Sequence, residues 1–598
     1  MHANTRWLIL VGLALALAGC SSTLANEPAL TQNRGIETFG RLASLPGAED
    51  MVVLTAASQY LAAHREHDGM AFFAQLAEAH RERPLFRSLE GVMQARVASD
   101  IALLKRVAWV NSAIQKLDEG ARREPVLGRY LRGLVFAGLP ARFEKAAVAI
   151  ADLEATRRDL ERLPFAAERG VMHALAKAYE AIGDRRAADL RRRAGSIEDL
   201  LADASVSHEA GFRFEPPRLV READGVYLAE GYDFSTIAFL VDSEGVIVID
   251  AGTTEANAAR ALKALRGVTQ APVKHVIFTH AHWDHVGGAR SVIEPGAQVW
   301  ANERFPEALV RIRDAHNPFR TAFWGTDPIP LQVSVDHAVA QETELSLGAL
   351  KLTILPGASG ETADALYVYD HGHALLFVGD AFMPYTGVPF ASEGSSSGYL
   401  EATLAVQRFP VKKLIHGHPP LTRYWTKEAM PGLERALSAV RDHTLAALHD
   451  ARPLADVLHD NFIPATLSAT PAAAMPFGVT RDLFVQRIYR ERAGYWSADG
   501  TGMDEFSNEE WANAFDLIGG RNETAFVNAC SDLLSRGDAS MALRLSDLGL
   551  RKYPSSNALR DNRARALQLL QARYQQINPF RFIVYSGWSG HDVPAVNE

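Results

Sequence analysis

The spacing of apolar and polar positions predicts a helical region near the start of the chain. From about residue 48 to 205 the sequence is rich in Ala, Leu, Arg and Glu, and apolar side chains recur about one helical turn apart, as at Leu103, Val107 and Val110. A helix with this pattern buries one face against a neighbour. We therefore expect residues 48–205 to form an array of packed helices.

The pattern changes in the middle of the chain, over residues 206–450. Short β-branched runs such as GVIVIDAG and VKHVIFTH alternate with helical stretches such as EANAARALKALRG. Later runs, namely LKLTILPG, DALYVYDHG, ALLFVGD and KKLIHGH, end in Gly, Asp or His. Alternating strands and helices predict an α/β domain, and polar residues at strand ends are typical of loops that carry chemistry.

The helical pattern returns toward the end of the chain. We interpret residues 451–505 as a connecting segment and residues 506–598 as a second helical domain, with a Gly-Asp turn and a Tyr-Pro break between its helices. Cys530 lies in an apolar helical stretch of this domain, which predicts a buried and unreactive thiol.

Composition and charge narrow the classes of function. The chain has 598 residues, enough for several domains, and its 47% hydrophobic and 22% charged residues are ordinary for a globular protein. Its formal net charge is -9 and no dense run of Lys and Arg stands out, so we expect no nucleic-acid partner. Any anionic small-molecule substrate must therefore be attracted locally.

The first residues of the chain have the pattern of a processing signal. Arg6 precedes the apolar run Leu8–Leu17, which is short for a membrane-spanning helix. The run closes with Leu-Ala-Gly-Cys, which resembles the bacterial lipobox, in which the Cys, here Cys20, is lipidated. This predicts a signal peptide over residues 1–19, a linker over residues 20–47, and a lipid-anchored protein of the cell envelope, on the periplasmic side of the outer membrane. An ordinary cleaved signal with a chance Cys is the alternative.

A dense cluster of metal-binding side chains follows one predicted strand of the middle region. Residues 279–285 read Thr-His-Ala-His-Trp-Asp-His and are followed closely by two glycines. Imidazole nitrogens and carboxylate oxygens suit divalent zinc. The cluster resembles the HxHxDHxGG motif of the metallo-β-lactamase superfamily, and the motif is matched in full by His280, His282, Asp284, His285, Gly287 and Gly288.

This resemblance implies an αββα metallo-β-lactamase fold, here flanked by N-terminal and C-terminal helical domains, with two divalent metal ions. Zinc is expected, and manganese or iron stays open because a carboxylate occupies one usual His position. The resemblance assigns His280, His282 and Glu361 to one ion, Asp284, His285 and His418 to the other, and Asp380 to both.

Two of these ligand assignments have alternatives, and one nearby residue has an indirect role. His416 is an alternative to His418 as the last ligand, and Glu361 is alternatively a loop residue that does not bind metal. Asp250, at the end of VIVIDAG, is expected to accept hydrogen bonds from the His loop without binding metal.

The carboxylate at Glu361 and the C-terminal helices resemble the alkylsulfatase branch of the superfamily. This implies hydrolysis of an alkyl sulfate ester, an anionic amphiphile, by a hydroxide that bridges the two metals, with Asp284 and Asp380 as the catalytic carboxylates. It also implies a homodimer formed through residues 506–598. Asn302, Arg320 and Arg423 are candidates for binding the sulfate oxygens.

Two other interpretations remain open. A hydrolase of lactones, thioesters or β-lactams is favoured by the plain Gly-Asp context of Asp380. An envelope scaffold with a vestigial metal domain is the alternative outside the enzymes, because residues 174–193 resemble a tetratricopeptide helix pair, a unit that often binds partners.

Overall fold

The computed structural model describes residues 34–164, 167–194, 217–314, 331–384, 393–494, 496, 500, 502–574 and 577–589. These residues fall into two compact units. The first takes in the described parts of residues 1–44, 49–201 and 505–598, and the second takes in residues 45–48 and the described part of residues 202–504.

The first unit is helical, as the apolar spacing predicts. Its helices before residue 195 are Arg34–Ala43, Asp50–Ala62, Glu66–Ala79, Pro84–Arg96, Leu103–Arg123, Leu127–Gly138, Ala146–Thr156, Ala167–Ala181 and Arg186–Ala194. The last two are joined by a turn in which Gly183 has a φ of 71° and Asp184 accepts a hydrogen bond from the Arg186 amide at 2.9 Å. The predicted helix, Gly-Asp turn and helix are therefore present.

Helices from the end of the chain complete this unit. They are Asn508–Ile518, Glu523–Ser535, Ala539–Lys552, Asn557–Tyr574 and Pro579–Ser589. Cys530 is fully buried among them, and its sulfur accepts a hydrogen bond from Ser546 at 3.3 Å. Helices far apart in sequence are in contact within this unit. For example, the Gln59 side-chain amide donates a hydrogen bond to the carbonyl of Arg573 at 3.1 Å.

The second unit contains two β-sheets. The first sheet has the order β1-β2-β3-β4-β5-β6-β7, with strands Arg218–Ala223, Val226–Glu230, Ile237–Val241, Val246–Ile249, Val273–Ile277, Gln298–Asn302 and His337–Val339. The second has the order β12-β11-β10-β9-β8, with strands Thr343–Leu347 (β8), Leu350–Pro356 (β9), Leu366–Asp370 (β10), Leu375–Gly379 (β11) and Lys413–His416 (β12).

Strand direction follows the length of the connections. Neighbours joined by short turns, such as β3 and β4 or β8 and β9, pair antiparallel, whereas β4 to β7 pair parallel and so do β11 and β12. Parallel neighbours need a longer crossover, and helices provide it between β4 and β5 and between β11 and β12. Both sheets contribute apolar side chains to one core, which confirms the α/β fold of the predicted class.

Further helices of the second unit surround the sheets or follow them in the chain. They are Glu255–Leu265, Trp283–Val286, Ala289–Val292, Phe305–Asp314, Ser396–Val406, Pro419–Tyr424, Met430–His449, Leu454–His459 and Ala474–Arg492. The last helix lies in the stretch interpreted from sequence as a connecting segment. In the part of the chain that the structure describes, no helix has the length and apolar character needed to cross a membrane.

Candidate metal centre

The ends of several strands bring the predicted ligands to one place. Residues 280–285 follow β5, Asp380 follows β11 and His418 comes two residues after β12. Glu361 lies in the loop after β9. Loops at strand ends are held by a rigid sheet, which fixes where their side chains point.

One group of potential ligands consists of His280, His282 and Glu361, all buried. One Glu361 carboxylate oxygen, Oε2, lies 3.4 Å from His280 Nε2 and 3.4 Å from His282 Nδ1. The three donor atoms therefore converge on one point, and two nitrogens with one oxygen form a donor set that suits zinc. Glu361 is thus placed where it can bind a metal.

The second group consists of Asp284, His285, Asp380 and His418, also buried. Asp380 Oδ2 lies 3.3 Å from His285 Nε2 and 2.9 Å from His418 Nε2. Asp284 Oδ2 lies 3.5 Å and 3.4 Å from the same two nitrogens. The two groups together contain all seven residues that the resemblance assigns to two metal ions.

Several buried polar atoms of this site lack a hydrogen-bond partner, which supports cation binding. Among the described residues, the buried atoms His280 Nε2, His285 Nε2, Glu361 Oε2 and Asp380 Oδ1 have no hydrogen-bond partner. A buried polar atom without a partner costs free energy, and each of these atoms belongs to a residue that can bind metal. The residues therefore fit a pair of divalent ions.

The electrostatics of the cluster are those of charges packed out of water. Burial raises the pKa of Glu361 to about 7. Burial also holds the pKa of His280 well below its usual value, and the neighbouring imidazoles add to this shift. Burial alone would lower the pKa of His418, but the Asp380 and Asp284 carboxylates raise it to about 10. Bound divalent cations would neutralise the buried carboxylates and allow the imidazoles to stay neutral.

The outer nitrogen of each of the four imidazoles meets a group that orients the ring, and three of these partners are Asp250, Thr279 and Phe234. Asp250 Oδ2 lies 2.9 Å from His285 Nδ1 and accepts a 2.8 Å hydrogen bond from the Thr279 hydroxyl, which lies 3.0 Å from His280 Nδ1. The backbone carbonyl of Phe234 lies 3.1 Å from His418 Nδ1. Such contacts fix which nitrogen faces a metal.

Two glycines allow the loops to approach this closely. A Cβ at Gly417 would lie 2.2 Å from Asp380 Oδ1 and 2.5 Å from His285 Cε1. Gly379 has a φ of 52°, and a Cβ there would lie 2.5 Å from the Thr279 hydroxyl oxygen. Any side chain at either position would displace a predicted ligand or its support.

The alternative ligand His416 lies outside both groups. Its Nε2 is 2.9 Å from the Trp425 carbonyl, and burial lowers the pKa of the imidazole to about 4. His416 is therefore a neutral, buried residue of the strand end, and the geometry favours His418.

The three candidates for sulfate binding differ in their surroundings. Asn302 is buried, its amide nitrogen donates to the Ala365 carbonyl at 2.9 Å and its oxygen accepts from the Arg304 amide at 2.9 Å. Arg423 follows His418 on the helix Pro419–Tyr424, with its guanidinium 5.7 Å from the ring centre of Tyr424. Arg320 lies outside the described residues. The sulfate-binding roles stay predictions.

Glu393 was not among the residues predicted from the sequence. Its carboxylate lies 2.7 Å from His282 Nε2, the nitrogen of that ring that faces away from Glu361. The residue stands in a Ser-Glu-Gly-Ser run before a helix, which reads as an ordinary turn. A single acidic residue among small residues was the only signal that the sequence offered.

Comparison with known proteins agrees with the geometry. The family model described as the metallo-beta-lactamase superfamily matches residues 231–418. A linear primary-alkylsulfatase of Pseudomonas is 21% identical over 374 residues, covering 56% of this chain and 70% of the relative. The alkyl/aryl-sulfatase of Saccharomyces cerevisiae is 35% identical over 99 residues, covering 15% of each chain.

A solved structure is similar in fold. The stereoselective inverting sec-alkylsulfatase from Pseudomonas has a TM-score of 0.51 and 16% sequence identity, over 62% of this chain and 64% of that chain. The chain thus spans slightly less than two thirds of this solved protein. The matched 62% of this chain is longer than residues 231–418 alone.

Proposed function

We propose that this chain, whose residues 231–418 belong to the metallo-β-lactamase superfamily, is a metal-dependent hydrolase of sulfate esters, most specifically of alkyl sulfates. The observation that carries the proposal is the buried convergence of four imidazoles and three carboxylates in two groups. The relatives named as alkylsulfatases supply the substrate class.

The residues of the chain have separable tasks in this reaction. His280, His282 and Glu361 would hold one ion and Asp284, His285 and His418 the other, and Asp380, which lies in the second group, would by resemblance be shared by both ions. Two bound divalent ions supply a hydroxide near neutral pH and stabilise negative charge on the ester. Asp284, buried in the same group as Asp380, would orient the attacking water.

Sulfate release from synthetic esters tests the proposal. We expect metal-loaded protein to release sulfate from primary or secondary alkyl sulfates. His280→Ala and Asp284→Ala should lower turnover more than about 100-fold, because removing a ligand is worse than removing its outer partner. Asp224→Ala, at an exposed turn, is the matched control and should keep full activity. Sulfate release that survives both ligand variants would overturn the proposal.

A second candidate is hydrolysis of a lactone, thioester or β-lactam at the same centre. The observation that favours it is Asp380 in a plain Gly-Asp pair after β11, a context shared with other branches of the superfamily. The same metal-loaded protein offered these substrates separates the two candidates. Turnover of one of them without sulfate release from any alkyl sulfate favours the second.

Zinc is our proposal for both ions, with manganese and iron as alternatives. It is supported by the two nitrogens and carboxylate oxygens of each group. The carboxylate of Glu361 gives its group a harder donor than imidazole. The group is therefore less selective for zinc over manganese or iron. Elemental analysis of the purified protein, followed by reconstitution with each metal, tests the identity.

We also propose that the protein is anchored in the cell envelope and forms a homodimer. The lipobox-like sequence ending at Cys20, which lies outside the described residues, supports the anchor. The resemblance of residues 506–598 to an alkylsulfatase dimerisation domain supports the dimer. Membrane fractionation of Cys20→Ser and sedimentation of the protein in detergent test these proposals separately.

A further inference from the structure

Glu393 occupies a position that orients one of the candidate metal ligands. Its carboxylate lies 2.7 Å from His282 Nε2, while His282 Nδ1 faces Glu361. The His282 and Glu393 side chains are 2% and 8% exposed, so the contact is shielded from water. A carboxylate in this place requires a proton on Nε2 of a neutral ring, which leaves Nδ1 as the nitrogen able to bind metal.

With this contact, each of the two ligand groups contains one imidazole whose outer nitrogen faces a carboxylate. In the second group, Asp250 backs His285 with a carboxylate and the Phe234 carbonyl backs His418. In the first group, His280 is backed by the neutral Thr279 hydroxyl. Glu393 therefore gives the first group the one charged outer partner that Asp250 gives the second.

The segment that carries Glu393 is held in place by close packing and by hydrogen bonds to Glu491. A Cβ at Gly394 would lie 2.3 Å from the Gly360 carbonyl oxygen, so the segment lies directly against the loop that carries Glu361. Two residues further on, the Ser396 amide and hydroxyl donate to the Glu491 carboxylate at 2.8 Å and 2.5 Å.

Glu491 is itself fixed from the helix Ala474–Arg492. The fully buried Arg487 donates to it at 2.7 Å. This helix lies beyond residues 231–418, the part of the chain that matches the superfamily. A connection therefore runs from Arg487 through Glu491 and Ser396 to the segment of Glu393.

We infer that Glu393 is a positioning residue that selects the metal-binding tautomer of His282, and that the Arg487–Glu491 pair holds Glu393 in place from outside the superfamily domain. The inference rests on the dinuclear site of the proposed function. It makes the affinity of the His280, His282 and Glu361 group depend on two acidic residues that bind no metal.

Metal affinity, measured apart from turnover, tests the role of Glu393. In a chelator competition, we expect Glu393→Ala to lower the affinity for one of the two zinc ions by about 10- to 100-fold. The affinity for the other ion should stay unchanged. Glu393→Gln, whose carbonyl oxygen can still accept from Nε2, should recover part of the loss. Glu401→Ala, at an exposed position of the helix Ser396–Val406, is the matched control and should bind both ions as the parent protein does.

Cobalt-loaded protein provides a readout that general loosening of the fold would not reproduce. Glu393→Ala should change the visible spectrum of one cobalt site only, and Glu491→Gln should cause a smaller change at the same site. Unchanged affinity and spectrum in Glu393→Ala would overturn the inference, and so would equal loss of both ions.

The failure of this inference differs from failure of the proposed function. If the parent protein releases sulfate and Glu393→Ala binds both ions normally, the positioning role falls and the function stands. If Glu393→Ala loses one ion but no sulfate ester is turned over by the parent protein, the function falls and the positioning role stands.

Discussion

At the scale of single residues, Asp250 supports both groups of metal ligands. Its carboxylate accepts from the Thr279 amide at 2.8 Å and the Thr279 hydroxyl at 2.8 Å, and lies 2.9 Å from His285 Nδ1. Its backbone has a φ of 61°, in the left-handed region that Asp and Asn tolerate better than other side chains. One carboxylate thereby orients His285 directly and His280 through Thr279.

We predict that Asp250→Asn weakens metal binding by about 10- to 100-fold, with the larger loss at the Asp284, His285 and His418 group. Asn keeps the shape and the backbone conformation of Asp. Its amide nitrogen, however, is a donor and cannot accept a hydrogen bond from His285 Nδ1. Metal titration of the purified variant measures the loss. Asp224→Asn, exposed at a turn, should leave both affinities unchanged. Normal binding by Asp250→Asn would show that the outer carboxylate is unimportant.

A second prediction concerns the space between loops. We expect Gly417→Ala to prevent binding of at least one metal ion, because its Cβ would lie 2.2 Å from Asp380 Oδ1 and 2.5 Å from His285 Cε1. Gly372→Ala is the control, because its Cβ would make an ordinary contact of 3.4 Å with Asp370. Metal content after dialysis distinguishes them. Two ions retained by Gly417→Ala would contradict the prediction.

Residue patterns show some features of the site and hide others. His280, His282, Asp284 and His285 fall within six positions, so their convergence follows from local spacing. Glu361 and Asp380 were assigned through the resemblance to the superfamily, with the predicted strands before them as a guide. Glu393 lies 111 residues from His282, and no local pattern connects them, so only the folded chain shows the contact.

At the scale of elements, the core between the sheets sets the positions of the strand ends. Leu352 of β9 is fully buried in this core, whereas its neighbour Lys351 points away and is exposed. Successive side chains of a strand face opposite sides, which is why adjacent positions differ so sharply.

We predict that Leu352→Ala lowers the free energy of unfolding of the second unit by about 2–5 kcal/mol, through lost burial and the cavity left behind. Lys351→Ala on the same strand should change it by less than about 0.5 kcal/mol. Denaturant unfolding monitored by metal-site absorbance of cobalt-loaded protein reports on this unit. Equal effects of the two substitutions would contradict the assigned register.

The strands were more predictable than the helix Ala474–Arg492. Each strand named from sequence is a short apolar run bounded by Gly, Asp or Pro, and this pattern has few alternatives. The helix Ala474–Arg492 begins in Ala- and Pro-rich sequence and buries Arg481 and Arg487 among apolar residues. Buried arginines blur the apolar periodicity, which explains why this stretch was interpreted as a connecting segment.

At the scale of the whole molecule, sequence predicts two helical regions but not that they share one unit. Residues 49–201 and 505–598 belong to the same compact unit, where the Gln59 side chain meets the Arg573 carbonyl across 514 positions. Helical periodicity shows which face of a helix is apolar but not which distant helix covers it. The α/β class, in contrast, follows from element order alone.

The division into two units predicts which part of the molecule loses stability when metal is removed. Both candidate metal groups lie in the second unit, and the described helices of the first contain no such group. Ions that bind only the folded state stabilise it by about 2.7 kcal/mol at a concentration 100 times the dissociation constant. Without them, the buried carboxylates and imidazoles lose their compensating charge.

We therefore expect a chelator to speed hydrogen exchange at the ends of β5, β11 and β12, while the helix Pro84–Arg96 keeps its protection. Peptide-resolved mass spectrometry measures both regions in one experiment. In Asp284→Ala, which already lacks a ligand, the chelator should produce a smaller change. Equal acceleration in both units, or none at the strand ends, would contradict the assignment of the ions to the second unit, because stabilisation by a ligand is greatest in the cooperative region that closes around it.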